Sequence, residues 1–473
     1  MATILRLNPS RAGDERRWLA GLRVSSQCSE VAAAVIAVSG RGLEAQIDVA
    51  AALAAPMPRE TAGLFHPLAT ATSCSPGTLA VLRAQLAEVQ SHLLADLLAQ
   101  LGAPRGEILA LGVDDPGVWE GDGARAGNDM AAHARSVMSA PARAPSPFHA
   151  HRYYLGLCDP TRLAESTGLN VIDAFPARDL AQGGLGGPID AVAQWMLLKD
   201  ATRGRALLDL GRTVRMTYLP PAELRDAASR ILAFEVGPGT ALLDQLAQRF
   251  TGGQHRFDPG GSLAVQGRQI PELVQHWLRD PYFDAPLPRW HPHGVRPERF
   301  LADAMHLAVD RGWSVRDLLC TATHFVAESV AQTLRRRLPE DDRVDEILVA
   351  GGGQHNGLLL REIAARVDVP LVRISQHVGR SFCCVQTGPS GSSVLRSEPC
   401  GPRFPDDALA PAAAAVLALC YLDQVPANLT AITGAKVPRL LGRLTPGSPQ
   451  NWQRLLHSLS GSTPTIRPLR SAV

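Results

Sequence analysis

The chain reads as an α/β protein with mixed sheets, and three observations predict it. Short apolar, β-rich runs recur: VAAAVIAV at 31–38, EILALGV at 107–113, GRALLDLG at 204–211 and EILVAGGG at 346–353. Longer runs with apolar residues at helical spacing separate them, as in LAVLRAQLAEVQSHLLADLLAQLG at 79–102. At two joints a strand-like run passes through glycines straight into a helix-like run. One joint is Gly237-Pro238-Gly239, between an apolar run at 231–234 and the run Ala241, Leu242, Leu243. The other is Gly351-Gly352-Gly353, ahead of a helix beginning near Asn356.

Taken in order, residues 17–38 predict a β-hairpin, with the polar turn SSQCSE (25–30) between two apolar arms. The helix over 79–102 stops at Gly102 and is followed by a short buried strand at 107–113. From Glu120 to Ala150 periodicity dissolves into Gly, Ala, Arg, Ser and Pro, the composition of a loop or partly disordered insertion. Residues 162–175 read as a helix end, a turn at Gly168 and a strand. Helices are predicted at 222–232, 241–250, 270–279, 297–310 and 314–338, and an alanine-rich one at 407–423. Residues 374–402 form a second irregular segment, and a loose tail starts at about Gly461.

Bulk properties exclude several classes. With 473 residues the chain can build two or three domains, and a net charge of +2 gives no field for nucleic acid or an anionic membrane. No apolar run is long enough to span a bilayer, and no apolar leader opens the chain. Eight cysteines stand at 28, 74, 158, 320, 383, 384, 400 and 420, without a C-x-x-C pair. Unpaired thiols in a reducing compartment, the cytoplasm, are expected. The fourteen histidines show no metal-ligand spacing.

A glycine turn between a strand and a helix lets backbone N–H groups approach a phosphate or sugar; the alternative is a tight turn with no ligand. The turn at 237–239 is accompanied by HRFDPGGSLAVQG (255–267), DPYFDAPLP (280–288), EILVAGGGQHN (346–356) and VPANLTAITGA (425–435). In this order the segments resemble the anhydro-N-acetylmuramic acid kinases, sugar kinases of the actin/hexokinase ATPase superfamily. The resemblance runs from about Gly21 to about Pro446. It implies a two-lobed fold with an interlobe cleft: an N-terminal lobe over 15–200 with its insertion at about 120–150, a C-terminal lobe over 201–460, and a tail at 461–473.

Residue by residue, the stretch 174–188, AFPARDLAQGGLGGP, is similar to the family's DFRxxDxAAGGQGAP. This places Asp179 at the catalytic base, with Gly183 and Gly184 in the sugar loop. The base would take a proton from water attacking the anomeric carbon of a 1,6-anhydro sugar, while the 6-oxygen receives the γ-phosphoryl group of ATP. Taken alone, Asp179 reads as a solvated or capping aspartate. Cys158-Asp159-Pro160 matches the family's GDP, which makes Asp159 a sugar-side residue or, equally, the cap of the following helix. Gly351, Gly352 and Gly353 stand where the superfamily binds adenosine.

The phosphate motifs depart from the family pattern. GxMSGTSxDGxD becomes GLRVSSQCSEVA at 21–32, which leaves Ser25, Ser26 and Ser29 as phosphate donors and removes both aspartates that organise Mg²⁺. NLGGIAN becomes DLGRTVR at 209–215, keeping Gly211 and placing Arg212 and Arg215 where they could hold a phosphate or fill its space. DTGPGN becomes EVGPGT, keeping Gly237 and Gly239. Asp114, Asp115, Asp209 and Glu235 are the acids available for a rearranged metal site. The resemblance implies ATP and Mg²⁺, an amino sugar and a nucleotide as partners, and a homodimer as the candidate assembly. Two functions stay open: an active sugar kinase of peptidoglycan recycling, or a degenerate relative that binds a sugar, a nucleotide or a partner without turnover.

Overall fold

The computed structural model describes residues 3–4, 16–70, 75–101, 107–120, 152–292, 294–338, 343–376 and 407–460. The expected insertion, the expected tail, most of the second irregular segment, and Cys74, Cys383, Cys384 and Cys400 lie outside them.

In chain order the strands are β1 (Thr3–Ile4), β2 (Arg17–Val24), β3 (Glu30–Ser39), β4 (Gln46–Pro56), β5 (Ile108–Asp114), β6 (Val118–Glu120), β7 (Tyr153–Leu155), β8 (Asn170–Asp173), β9 (Arg205–Leu210), β10 (Thr213–Leu219), β11 (Leu232–Pro238), β12 (Glu346–Ala350), β13 (Leu371–Arg373) and β14 (Arg443–Thr445). They form a seven-stranded sheet ordered β1-β4-β3-β2-β5-β8-β14, a five-stranded sheet ordered β11-β10-β9-β12-β13, and the small pair β6-β7. Both large sheets are mixed. β2, β5 and β8 run parallel in the first, and β9, β12 and β13 in the second.

Side-chain alternation builds three cores. In β9, Leu207 points into a central core between the two sheets, and Leu208 into an outer core on the far side. The central core holds Leu19, Ile36 and Ala110 of the first sheet, Leu207 and Leu348 of the second, and two apolar helices, Ala191–Leu198 and Leu409–Leu422. Because the second helix is enclosed from both sides, its sequence is apolar all round, which explains the alanine-rich run. The outer core of the second sheet is covered by the helices Thr240–Phe250, Pro271–Leu278, Pro297–Arg311, Val315–Arg337 and Gly357–Ala364. That of the first is covered mainly by Pro76–Leu101 and Pro160–Thr167. β3, covered on both faces, is buried from Val31 to Val38, which accounts for its unbroken apolar run. Among the described residues, no helix is long and apolar enough to cross a membrane.

The helix expected at 222–232 does not form. Residues 222–226 are turns, Ala227–Arg230 is one 3₁₀ turn, and β11 starts at Leu232. Only Ala227 and Ile231 of the segment are buried before that strand, so a helix there would have no apolar stripe to bury. Strand pairing also follows a different line from the expected division at 200/201. β14 pairs with β8, and Leu409–Leu422 packs on β2, β5 and β3, so the end of the chain returns to the first sheet.

Candidate functional site

β9, β11 and β12 run in one direction, and the turns after them meet at one edge of the second sheet, where open α/β sheets bind ligands. The turns interlock. Gly239 N and Ala241 N donate to Arg212 O at 2.8 and 3.3 Å, and Thr240 N donates to Gly211 O at 2.9 Å. A Cβ on Gly239 would stand 2.2 Å from the Gly211 carbonyl oxygen, so only glycine fits there. The first N–H groups of Thr240–Phe250 are thus satisfied by protein carbonyls. Gly351 sits against Asp209, Gly353 is buried against Leu210, and Gly352 is exposed. Gly237 lies within β11 beside Phe283. Asn356 caps Gly357–Ala364 by accepting from Leu359 N at 3.0 Å. Gly211, Arg212, Gly239, Gly351, Gly352 and Gly353 therefore share one patch, while Gly237 is buried within β11.

The hairpin between β2 and β3 satisfies itself. Ser25 Oγ accepts from the N–H groups of Ser29 and Glu30 at 3.0 and 3.1 Å. Ser26 is exposed at the tip. Beside the hairpin, Arg23 of β2 pairs with Asp114 of β5 at 3.7 Å.

On the second sheet itself, an arginine is paired with an acid. Arg215 stands opposite Asp209 in the β9–β10 ladder, and its Nη2 donates to Asp209 Oδ2 at 2.9 Å. Burial opposes the Arg215 charge, but Asp209, Asp190 and Glu235 more than offset it and hold the guanidinium above its usual pKa. Burial pushes the Asp114 carboxyl up to about 6; Arg23 and Arg215 pull it down, and Asp190 and Asp115 push it up. Glu235 is buried and lies 2.9 Å from His291 Nδ1. Asp115 turns away and accepts backbone N–H groups from Gly117, Leu157 and Cys158 at 2.8 to 3.0 Å. Pro188, Asp190, Asp209, Arg215 and Thr217 line one narrow pocket.

Asp179 follows from a different kind of fold constraint. It lies in the short helix Phe175–Ala181 and is completely buried, not solvated. Its Oδ1 accepts from Asn428 Nδ2 at 2.9 Å and Thr433 Oγ1 at 2.7 Å, and its Oδ2 from Gly186 N at 2.8 Å. A Cβ on Gly184 would lie 2.2 Å from Asp179 Oδ2, so the loop wraps the carboxylate only because that residue is glycine. Gly183 makes the turn with φ +78. Asp159 caps Pro160–Thr167, accepting from Arg162 N at 3.1 Å.

The model of the anhydro-N-acetylmuramic acid kinase family matches residues 24–382, about three quarters of the chain. The chain belongs to that family. The anhydro-N-acetylmuramic acid kinase of Acaryochloris marina is 27% identical over 428 residues, covering 90% of this chain and 98% of that protein. That of Crocosphaera subtropica is 33% identical over 281 residues, covering 59% and 67%. Among solved structures, xylulose kinase from Rhodospirillum rubrum is 12% identical with a TM-score of 0.38, covering 94% of this chain and 98% of that one.

Mg²⁺, which resemblance to the anhydro-N-acetylmuramic acid kinases implies, does not fit the residues at hand. Among the described residues, no group of three or more His, Cys, Asp or Glu is arranged to hold a metal. Each of the four candidate acids is already engaged: Asp209 with Arg215, Glu235 with His291, Asp114 with Arg23, and Asp115 with backbone donors. Sequence reasoning missed several site residues. Asp190 has no motif of its own. Asn428 and Thr433 sit inside the segment 425–435, quoted for its order alone. Trp119 and Trp290, with ring centroids 5.3 Å apart, pack on Gly186 and Gly187 beside Asp179. Two tryptophans flanking a glycine-rich loop from distant positions left no local signal.

Proposed function

We propose that the chain is an ATP-dependent kinase of 1,6-anhydro-N-acetylmuramic acid. Family membership supports the reading, and one observation carries it. Pro188 and Asp190, at the end of the Asp179 loop, line the same pocket as Asp209 and Arg215, so sugar-side and phosphate-side elements face one space. In that reaction water would attack the anomeric carbon, the bond from that carbon to O6 would break, and O6 would take the γ-phosphoryl group, releasing ADP. The proton of the water passes to Asp179. Asn428, Thr433 and Gly186 hold that carboxylate in place through three hydrogen bonds. Gly352 is the exposed glycine on the nucleotide side. We read two lobes, one over residues 16–198 with 409–460 and the other over 205–373, meeting at this cleft. The thiols of Cys28, Cys158, Cys320 and Cys420, buried and unpaired, suit the reducing cytoplasm.

A second reading, a binding protein without turnover, is favoured by the occupied N–H groups at 239–241 and by the Arg215–Asp209 pair. Coupled ADP release with the anhydro sugar and ATP separates the two. The kinase reading expects sugar-dependent ADP release that Asp179→Asn abolishes while sugar affinity stays within about tenfold, since a base acts in the transition state. Sugar binding with no ADP release would establish the second reading.

A further inference from the structure

We propose that Arg215 is the resident cation of this cleft, standing where a divalent metal would otherwise bridge the acids and the polyphosphate, so that nucleotide binding here is independent of Mg²⁺. The inference rests on the nucleotide-binding reading above.

Three features argue for it. Arg215 and Asp209 are direct cross-strand partners, so the register of the hairpin itself fixes the guanidinium beside the carboxylate. Asp190 lines the same pocket as Asp209 and Arg215, and Asp190, Glu235 and Asp114 of the opposite sheet act on the guanidinium through their charge. His291 lies 2.9 Å from Glu235 and takes that carboxylate from any ion. Mg²⁺ needs near-octahedral oxygen ligands at about 2.0–2.1 Å. A guanidinium 2.9 Å from Asp209 Oδ2 occupies that approach and repels a second cation. A guanidinium carries five N–H donors in a fixed fork, and its bond to Asp209 uses one, leaving donors suited to phosphate oxygens. Arg212, exposed on the same hairpin, adds a second charge.

The test has two arms. In the first, without nucleotide, Mn²⁺ is titrated into the protein and followed by electron paramagnetic resonance. The wild type should show no specific site. Arg215→Asn should gain one, tighter than any wild-type binding by at least about tenfold, and Arg215→Asn with Asp209→Asn should lose it. Mn²⁺ binding to the wild type that Asp209→Asn removes would overturn the assignment, as would a folded Arg215→Asn protein that gains no Mn²⁺. Should Arg215→Asn fail to fold, Arg215→Lys, which keeps the charge, should fold and bind no Mn²⁺; Mn²⁺ on Arg215→Lys would overturn it. In the second arm, calorimetry with ATP should give affinities in EDTA and in Mg²⁺ that agree within about threefold. A loss beyond about tenfold in EDTA overturns the inference. If ATP binds in neither condition, the nucleotide reading and the claim of metal-independent binding fall, and the Mn²⁺ arm still decides whether Arg215 holds the metal's place.

Discussion

The Asp179 loop and the Arg215 hairpin face the same pocket and differ in what their sequences preserve. The loop keeps the family's aspartate and glycines, and every kept residue is tied into the protein: Asp179 binds Asn428, Thr433 and Gly186, and Gly184 leaves room for the carboxylate. The hairpin departs from the pattern, and one of its two substituted arginines, Arg215, lines that pocket and pairs with Asp209. Matching a motif therefore reports first on backbone packing. Gly239 matches because a side chain would strike the Gly211 carbonyl. The chemistry is decided at positions where packing leaves a choice.

The comparison breaks most easily at Asp179. Asp179→Ala leaves Asn428 Nδ2, the Thr433 hydroxyl and the Gly186 N–H buried without their acceptor. Leaving a buried donor without its acceptor costs about 1–3 kcal/mol, and three are left here, a loss to be read from urea unfolding. Asp179→Asn turns an amide toward the Gly186 N–H or toward Asn428 and should cost less. If Asp179→Ala unfolds like the wild type, the loop is not held by its carboxylate, and the contrast with the hairpin fails.

Asp114 tests the charged side. Burial raises its pKa to about 6. A carboxyl whose pKa is higher folded than unfolded contributes stability below its unfolded value, about 3.9, and that contribution is lost as pH rises through about 6. Asp114→Asn should therefore flatten the pH dependence, with a melting temperature that gains on the wild type between pH 4.5 and pH 7. The effect should be smaller than at Asp179, because the Asp114 side chain is 38% exposed and water screens it. An unchanged pH profile would mean that Arg23 and Arg215 neutralise Asp114 already, which would extend the reach of the guanidinium across the cleft.

Much of the fold was legible because its strands and helices carry their own patterns. The apolar run of β3, the long helix Pro76–Leu101 and the joints at 237–240 and 351–356 all formed as read. The segment 222–232 misled because helix-forming residues are present without a face to bury. β10 was read only as a phosphate motif, although TVRMTYL alternates as a strand does. Recognising it, with Gly211-Arg212 as the hairpin turn, would have put Asp209 near Arg215. The gathering of Asp114, Asp190 and Glu235 depends on how two sheets meet, and no local pattern encodes it.

The smallest effects lie at the first hairpin, and they sharpen the comparison because two adjacent serines differ. Ser25 Oγ accepts two backbone N–H groups of its own turn, so Ser25→Ala should cost on the order of 1 kcal/mol. Ser26 is exposed at the tip, and Ser26→Ala should leave stability within about 0.5 kcal/mol. Ligand affinity should follow the opposite order. Ser25 is held by the turn, with its Oγ 3.1 Å from Ser29 Oγ, whereas Ser26 is exposed at the tip and better placed to donate to a phosphate. A calorimetric ATP affinity that falls for Ser26→Ala at unchanged stability would make the first hairpin a working phosphate contact in spite of its lost aspartates. An affinity untouched by either substitution would leave the polyphosphate to Arg212 and Arg215 alone, and would place all of its recognition on the second sheet.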